Sequence, residues 1–200
     1  MTDSNSEKIQ AFVADNQLDK AIALAERVIT KNRITDFAPA VGKSLLPLTD
    51  SLVSYLDAFF AKAAQELDVK ALYAEMNGFT INYDRWFVDV FAFDRDEGLE
   101  DPDWLADYNY ANHSVPEEGF TITGLEEIQA VYEDYTDNEK WENARAETAA
   151  EDAAVLIVLR LQELFKAAKE TAHARQLAWA AMPLYVTAHD HYLGAIYVAA

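Results

Sequence analysis

His189-Asp190-His191, close to the end of the chain, sets two imidazoles two residues apart. In an extended segment they share one face; in a hairpin loop they share one turn. Two imidazoles hold zinc or iron only with a third ligand, and a carboxylate from the acidic loop described below is the natural source. No His-Glu-x-x-His helix exists, and His113 and His173 stand alone. A polar turn between two strands explains the same three residues without a metal. A metal-dependent enzyme using His189, His191 and an acidic-loop carboxylate is therefore the alternative reading. The favoured reading, given below, needs no cofactor.

Carboxylates crowd a second stretch: Asp94, Asp96, Glu97, Glu100, Asp101 and Asp103. Acid–base catalysis needs one carboxyl whose pKa is raised by burial. A loop this acidic, with Gly98 and Pro102 in it, is expected to be solvated. Calcium suits clustered Asp oxygens, but Asp94-Arg95-Asp96-Glu97-Gly98 departs from the twelve-residue binding pattern and Arg95 intrudes. Gly42-Lys43-Ser44 matches the tail of a phosphate-binding loop; Phe37 stands where its first glycine is required, and Pro39 lies inside. There is no Gly-x-Ser-x-Gly elbow and no cysteine, which removes serine-elbow and thiolate chemistry.

Binding suits these residues better. The carboxylates run into Trp104, Asp107, Tyr108 and Tyr110. Acidic groups steer an encounter with a basic partner, and aromatic rings supply the anchoring area. The partner-binding set is thus Asp94, Asp96, Glu97, Glu100, Asp101, Asp103, Trp104, Asp107, Tyr108 and Tyr110. The competing explanation makes the aromatics core and the acids a solvated rim; Trp86 is assigned to the core on that ground.

Charge points the same way. The 200 residues carry 35 Asp and Glu against 16 Lys and Arg, a net of −19. Between Asp84 and Asp152 the count is 21 against four; it is 11 against eight before that stretch and three against four after it. Such a surface repels nucleic-acid backbones and anionic lipids and favours a basic protein, a polyamine or a metal ion. Solubility alone accounts for the acidity equally well. The longest strongly apolar run, Ala153 to Leu159, is far short of the roughly 18 residues of a membrane span. The first residues show neither a basic nor an apolar leader region. With no cysteine, the expected location is cytoplasmic.

The elements that must position these groups follow from periodicity. Ser4-Asn5-Ser6-Glu7 has capping-box spacing for a first helix, and Leu18, Ile22, Ala25 and Ile29 mark a second, forming a hairpin. A connector with Pro39, Gly42 and Pro47 leads to a third helix, capped by Asp50 and striped by Leu52, Leu56, Phe59, Phe60, Ala63 and Leu67. Asp68 is expected to start a continuation carrying Leu72, Tyr73 and Met76, with Gly78 as C-cap. Phe79, Ile81 and Tyr83 alternate as a strand. Arg85 to Phe93 reads as a strand apolar on both faces, Trp104 to Asn112 as a half-exposed one, and Phe120 and Ile122 as a short third. Thr123-Gly124-Leu125-Glu126 repeats the capping box before a helix with Ile128, Val131, Tyr132 and Tyr135. From about Glu139 to Arg175 no Pro or Gly interrupts a long helix whose middle, Val155 to Leu161, is apolar nearly all round. Leu184 to Ala188 and Ala195 to Val198 close the chain as two strands.

The expected fold is one α+β domain: helical hairpin, third helix, small mainly antiparallel sheet, long core helix and C-terminal strands. An acidic, cysteine-free α+β chain with Tyr83-Asp84-Arg85-Trp86-Phe87-Val88-Asp89 and an acidic loop before Trp104 resembles bacterial immunity proteins. The resemblance covers the middle third of the chain. It implies a non-enzymatic inhibitor whose acidic surface neutralises a basic toxin such as a nuclease, and it assigns no residue a role.

Overall fold

The alternation along β2 (Trp86–Phe93) creates two cores. Trp86, Val88, Val90 and Ala92 are wholly buried on one face; Phe87, Phe91 and Phe93 are buried on the other. The computed structural model, which describes residues 3–79, 83–112, 119–189 and 197–199, places β2 inside a mixed sheet. β1 (Ala71–Met76) runs antiparallel to it, from Ala71 opposite Phe93 to Met76 opposite Val88. β5 (Leu184–Ala188) pairs with β1 in parallel, and β6 (Tyr197–Ala199) pairs with β5 antiparallel. On the far edge of β2, β3 (Tyr110–Ala111) takes one end and β4 (Phe120–Ile122) the other. The spatial order is β3-β2-β1-β5-β6, with β4 beside β2.

The described α-helices all lie on the Trp86 side of the sheet. α5 (Ala144–Ala174) has 31 residues, and Ala153 through Leu159 are all buried. It packs on α2 (Leu18–Lys31), α3 (Thr49–Glu66) and β5, while α1 (Asp3–Ala14) folds back on α2 as a hairpin. α4 (Glu126–Asp137) seats Tyr132 edge-on to Phe37 at 5.0 Å and to Trp86 at 5.7 Å, and stacks it on Phe79 at 5.6 Å. The Tyr132 hydroxyl donates to the Ala150 carbonyl at 2.7 Å, tying α4 to α5. The architecture is α+β, as the periodicity implies. No described helix is long and apolar enough to cross a membrane.

Several local expectations fail for identifiable reasons. Residues 71–76 form a strand, not a helical continuation. Leu72, Ala74 and Met76 enter the helix-side core and Ala71 and Tyr73 the opposite one, so an inner strand buried on both faces mimics the apolar spacing of a helix. Neither capping box forms as spaced. α1 has already begun at Asp3, and α4 begins at Glu126, whose carboxylate accepts from the Gly124 amide at 2.8 Å and is thereby held below its ordinary pKa. Asp50 lies in the first turn of α3 rather than at its cap. The long helix starts at Ala144, after a 3-10 turn at Lys140–Glu142, with the Asn143 side chain accepting from the Arg145 amide. Ile81, Ala195 and Ile196 lie outside the described residues.

Candidate functional site

The chain leaves β2 at Phe93 and returns at β3, and the acidic loop between them closes at its neck. The Asp94 amide donates to Asn109 Oδ1 at 3.0 Å, and the Asn109 amide donates to the Ala92 carbonyl at 3.1 Å. Inside the loop Pro102–Ala106 forms a 3-10 turn, with Asp101 as cap accepting from the Asp103 amide and Pro102 at the first position. That turn presses Trp104 and Leu105 onto the sheet face opposite the helices. Trp104 stands edge-on to Phe93 at 4.8 Å and to Tyr185 at 5.5 Å, and its Nε1 donates to the Gly98 carbonyl at 2.8 Å. The Tyr185 hydroxyl donates to Asp96 Oδ1 at 2.6 Å. Burial first, and the Asp96 carboxylate second, push that hydroxyl far above the usual phenol pKa.

Arg95 is the loop's internal counter-ion. Its guanidinium lies 2.8 Å from Glu97, 2.8 Å from Asp107 and 4.0 Å from Asp94. The hydrogen bond to Asp107 raises its pKa further. Among the described residues no cation reaches Glu100, Asp101 or Asp103, which are exposed. Beside them stand Leu99, 41% exposed, and Tyr108, 40% exposed, whose ring lies 4.9 Å from Phe91.

The expected aromatic surface does not form as one patch. Trp104 is buried at 6% exposure and serves as the loop's anchor to the sheet. Residues 104–112 are not one alternating strand, so Tyr108 and Tyr110 part company: Tyr108 leans on Phe91, while Tyr110 is half-buried against Phe59 of α3, on the helix side. The acidity divides likewise. The sheet lies between the loop carboxylates and those of α4 and the start of α5. What remains together is Asp94, Asp96, Glu97, Glu100, Asp101, Asp103 and Asp107 with Tyr108 and Leu99. Sequence reading passed over Leu99, an isolated apolar residue in an acidic run.

His189 meets a carboxylate, but not one from the loop. Its Nδ1 lies 2.7 Å from Glu75 Oε1, on β1. The Tyr73 hydroxyl also bonds Glu75, and burial together with that carboxylate raises its pKa strongly. Glu75 sits in register between Asp89 on β2 and Thr187 on β5, so the three share the sheet face that carries Trp104. The signal available beforehand was a lone carboxylate in the apolar run 71–76. His191 lies outside the described residues, among which no cluster of three or more His, Asp or Glu side chains is arranged to hold a metal ion.

No family model, curated protein or solved structure matches the chain.

Proposed function

We propose that this chain is a non-enzymatic binding protein that docks a basic protein through the loop 94–109. One observation carries the reading: two of the four large exposed apolar side chains among the described residues, Leu99 and Tyr108, lie on the same short loop as the uncompensated carboxylates Glu100, Asp101 and Asp103. Trp104 and the Tyr185–Asp96 bond hold that loop to the sheet, so little ordering cost attends association. The carboxylates would govern association rate and salt dependence, and Leu99 and Tyr108 would govern dissociation. Inhibition of a basic toxin, in the manner of an immunity protein, is the specific form of this function that the chain's acidity favours.

Capture from native lysate at low and high salt tests it. The wild type should retain a basic protein at low salt and lose it at high salt, and E100K/D101K/D103K should lose it at both. L99S/Y108S should release the same protein faster. A captured protein that is acidic, or that stays bound to both variants, would refute the reading.

A further inference from the structure

A cavity of about 400 Å³ opens where α1, α2 and α5 meet, far in sequence from the acidic loop. Its size falls within the roughly 300–1,000 Å³ of small-molecule sites. One wall is a single helical stripe of α2, in which Leu24 and Val28 alternate with Arg27 and Lys31 at spacings of three and four. Thr148 and Asp152 of α5 and Asn5 of α1 complete it, with Asn32 at the end of α2.

The hydrogen-bonding capacity left at the rim is donor-rich. Arg27 uses only Nε internally, donating to the Ala23 carbonyl at 3.1 Å. Asn32 spends its Oδ1 as acceptor for the Ile34 amide, which leaves its Nδ2 group as a donor. Among the described residues neither Arg27 nor Lys31 has a carboxylate partner. Lys43, by contrast, is neutralised by Glu127, Lys140 by Asp36 and Asp134, and Arg160 by Glu26 and Glu163. Arg27 and Lys31 are both exposed and four residues apart, so their charges stand side by side at the cavity's edge. Asp152, 2% exposed, lies in the wall of the cavity on the α5 side.

From these observations we infer that the α1–α2–α5 cavity binds a small amphiphilic organic anion. Its charged group sits at the rim on Arg27, Lys31 and the Asn32 amide, and its apolar body lies along Leu24 and Val28. A carboxylate and a phosphate monoester share this chemistry, and the experiment separates them.

Isotope-labelled protein of these 200 residues is titrated with hexanoate, with hexyl phosphate and with uncharged hexan-1-ol, following backbone amide shifts. At least one anion should give saturable shifts at Leu24, Arg27, Val28, Lys31, Asn32 and Thr148, and the tighter of the two identifies the headgroup. Hexan-1-ol should bind more weakly than that anion. R27Q/K31Q, which alters only exposed side chains, should keep the folded spectrum and weaken the anion about tenfold. R27K/K31R should retain it. Absence of saturable shifts with both anions, equal binding of hexan-1-ol, or unchanged affinity in R27Q/K31Q would each overturn the assignment.

Discussion

The hydroxyl of Tyr185, on β5, donates to Asp96, in the loop that follows β2, at 2.6 Å across 89 residues of sequence. It joins the exposed acidic loop to a side chain that is itself only 3% exposed. Tyr185→Phe keeps the ring against Trp104 and removes only the donor. Stability to urea should fall by about 1.5 kcal/mol, the low end for a hydrogen bond to a carboxylate because Asp96 is exposed. Amide exchange at residues 96–98 should quicken more than exchange in β5. Uniform quickening through the sheet would show that the bond supports the core rather than the loop.

Trp104 carries more of the loop's attachment. Removing its ring opens a void between Phe93 and Tyr185 and frees the Gly98 carbonyl. Trp104→Ala should cost about 3–5 kcal/mol, in the range of large-to-small aromatic changes. Trp104→Phe keeps ring contact without the Nε1 donor, and should cost about 1–2 kcal/mol. Equal losses in urea denaturation would place the whole effect in the hydrogen bond.

Both faces of β2 were readable because bulky apolar residues occupy odd and even positions alike. The same property hid β1: Leu72, Tyr73 and Met76 fit a helical stripe as well as a doubly buried strand, and the sequence holds no local mark of its partners β2 and β5. The burial of Trp104 is hidden for a different reason. Asp101-Pro102-Asp103 is a helix-start signal, a cap with proline at the first position, yet alternation from Trp104 to Tyr110 outweighed it. The acidity of the middle third was plain, but its division by the sheet was not. Charge patterning reports composition along the chain, whereas the side of a sheet depends on where distant elements pack. Glu75 and His189 are 114 residues apart and meet only through the parallel pairing of β1 with β5.

Gly119 precedes β4, where Arg85 donates to its carbonyl at 2.7 Å and to Thr121 Oγ1 at 2.9 Å. A Cβ there would come 2.6 Å from Phe87 Cδ2 and 3.2 Å from the Val88 carbonyl oxygen. Phe87 has little room to yield, being 6% exposed with the Arg85 guanidinium 4.8 Å from its ring centre. Gly119→Ala should therefore destabilise by about 1–3 kcal/mol through overpacking. In the F87L background the same change should cost less, because the smaller side chain leaves space. A double-mutant cycle read by urea denaturation checks this, and strict additivity would rule out the clash.

Lys169 sits on the inward side of α5 at 2% exposure, with Nζ donating to the Met182 carbonyl. Burial disfavours the ammonium and lowers its pKa to about 8. In the unfolded chain the same amine titrates near 10.4. Below pH 8 both states hold the proton, and the cost of burying the charge is fully present. Between pH 8 and about 10 the folded protein has released a proton that the unfolded chain keeps, so stability rises with pH. Lys169→Met has similar length and no titrating group, so its stability lacks this component. From pH 7.5 to 9.5 the stability of the wild type relative to the variant should rise by roughly 1–2 kcal/mol. The raised hydroxyl pKa values of Tyr73, Tyr132 and Tyr185 work in the opposite direction at higher pH, but they are common to both proteins and cancel in the difference. Urea titrations of both proteins at half-unit pH steps measure the gap directly. Parallel curves would mean that water or a further acceptor keeps the Lys169 ammonium charged inside the fold.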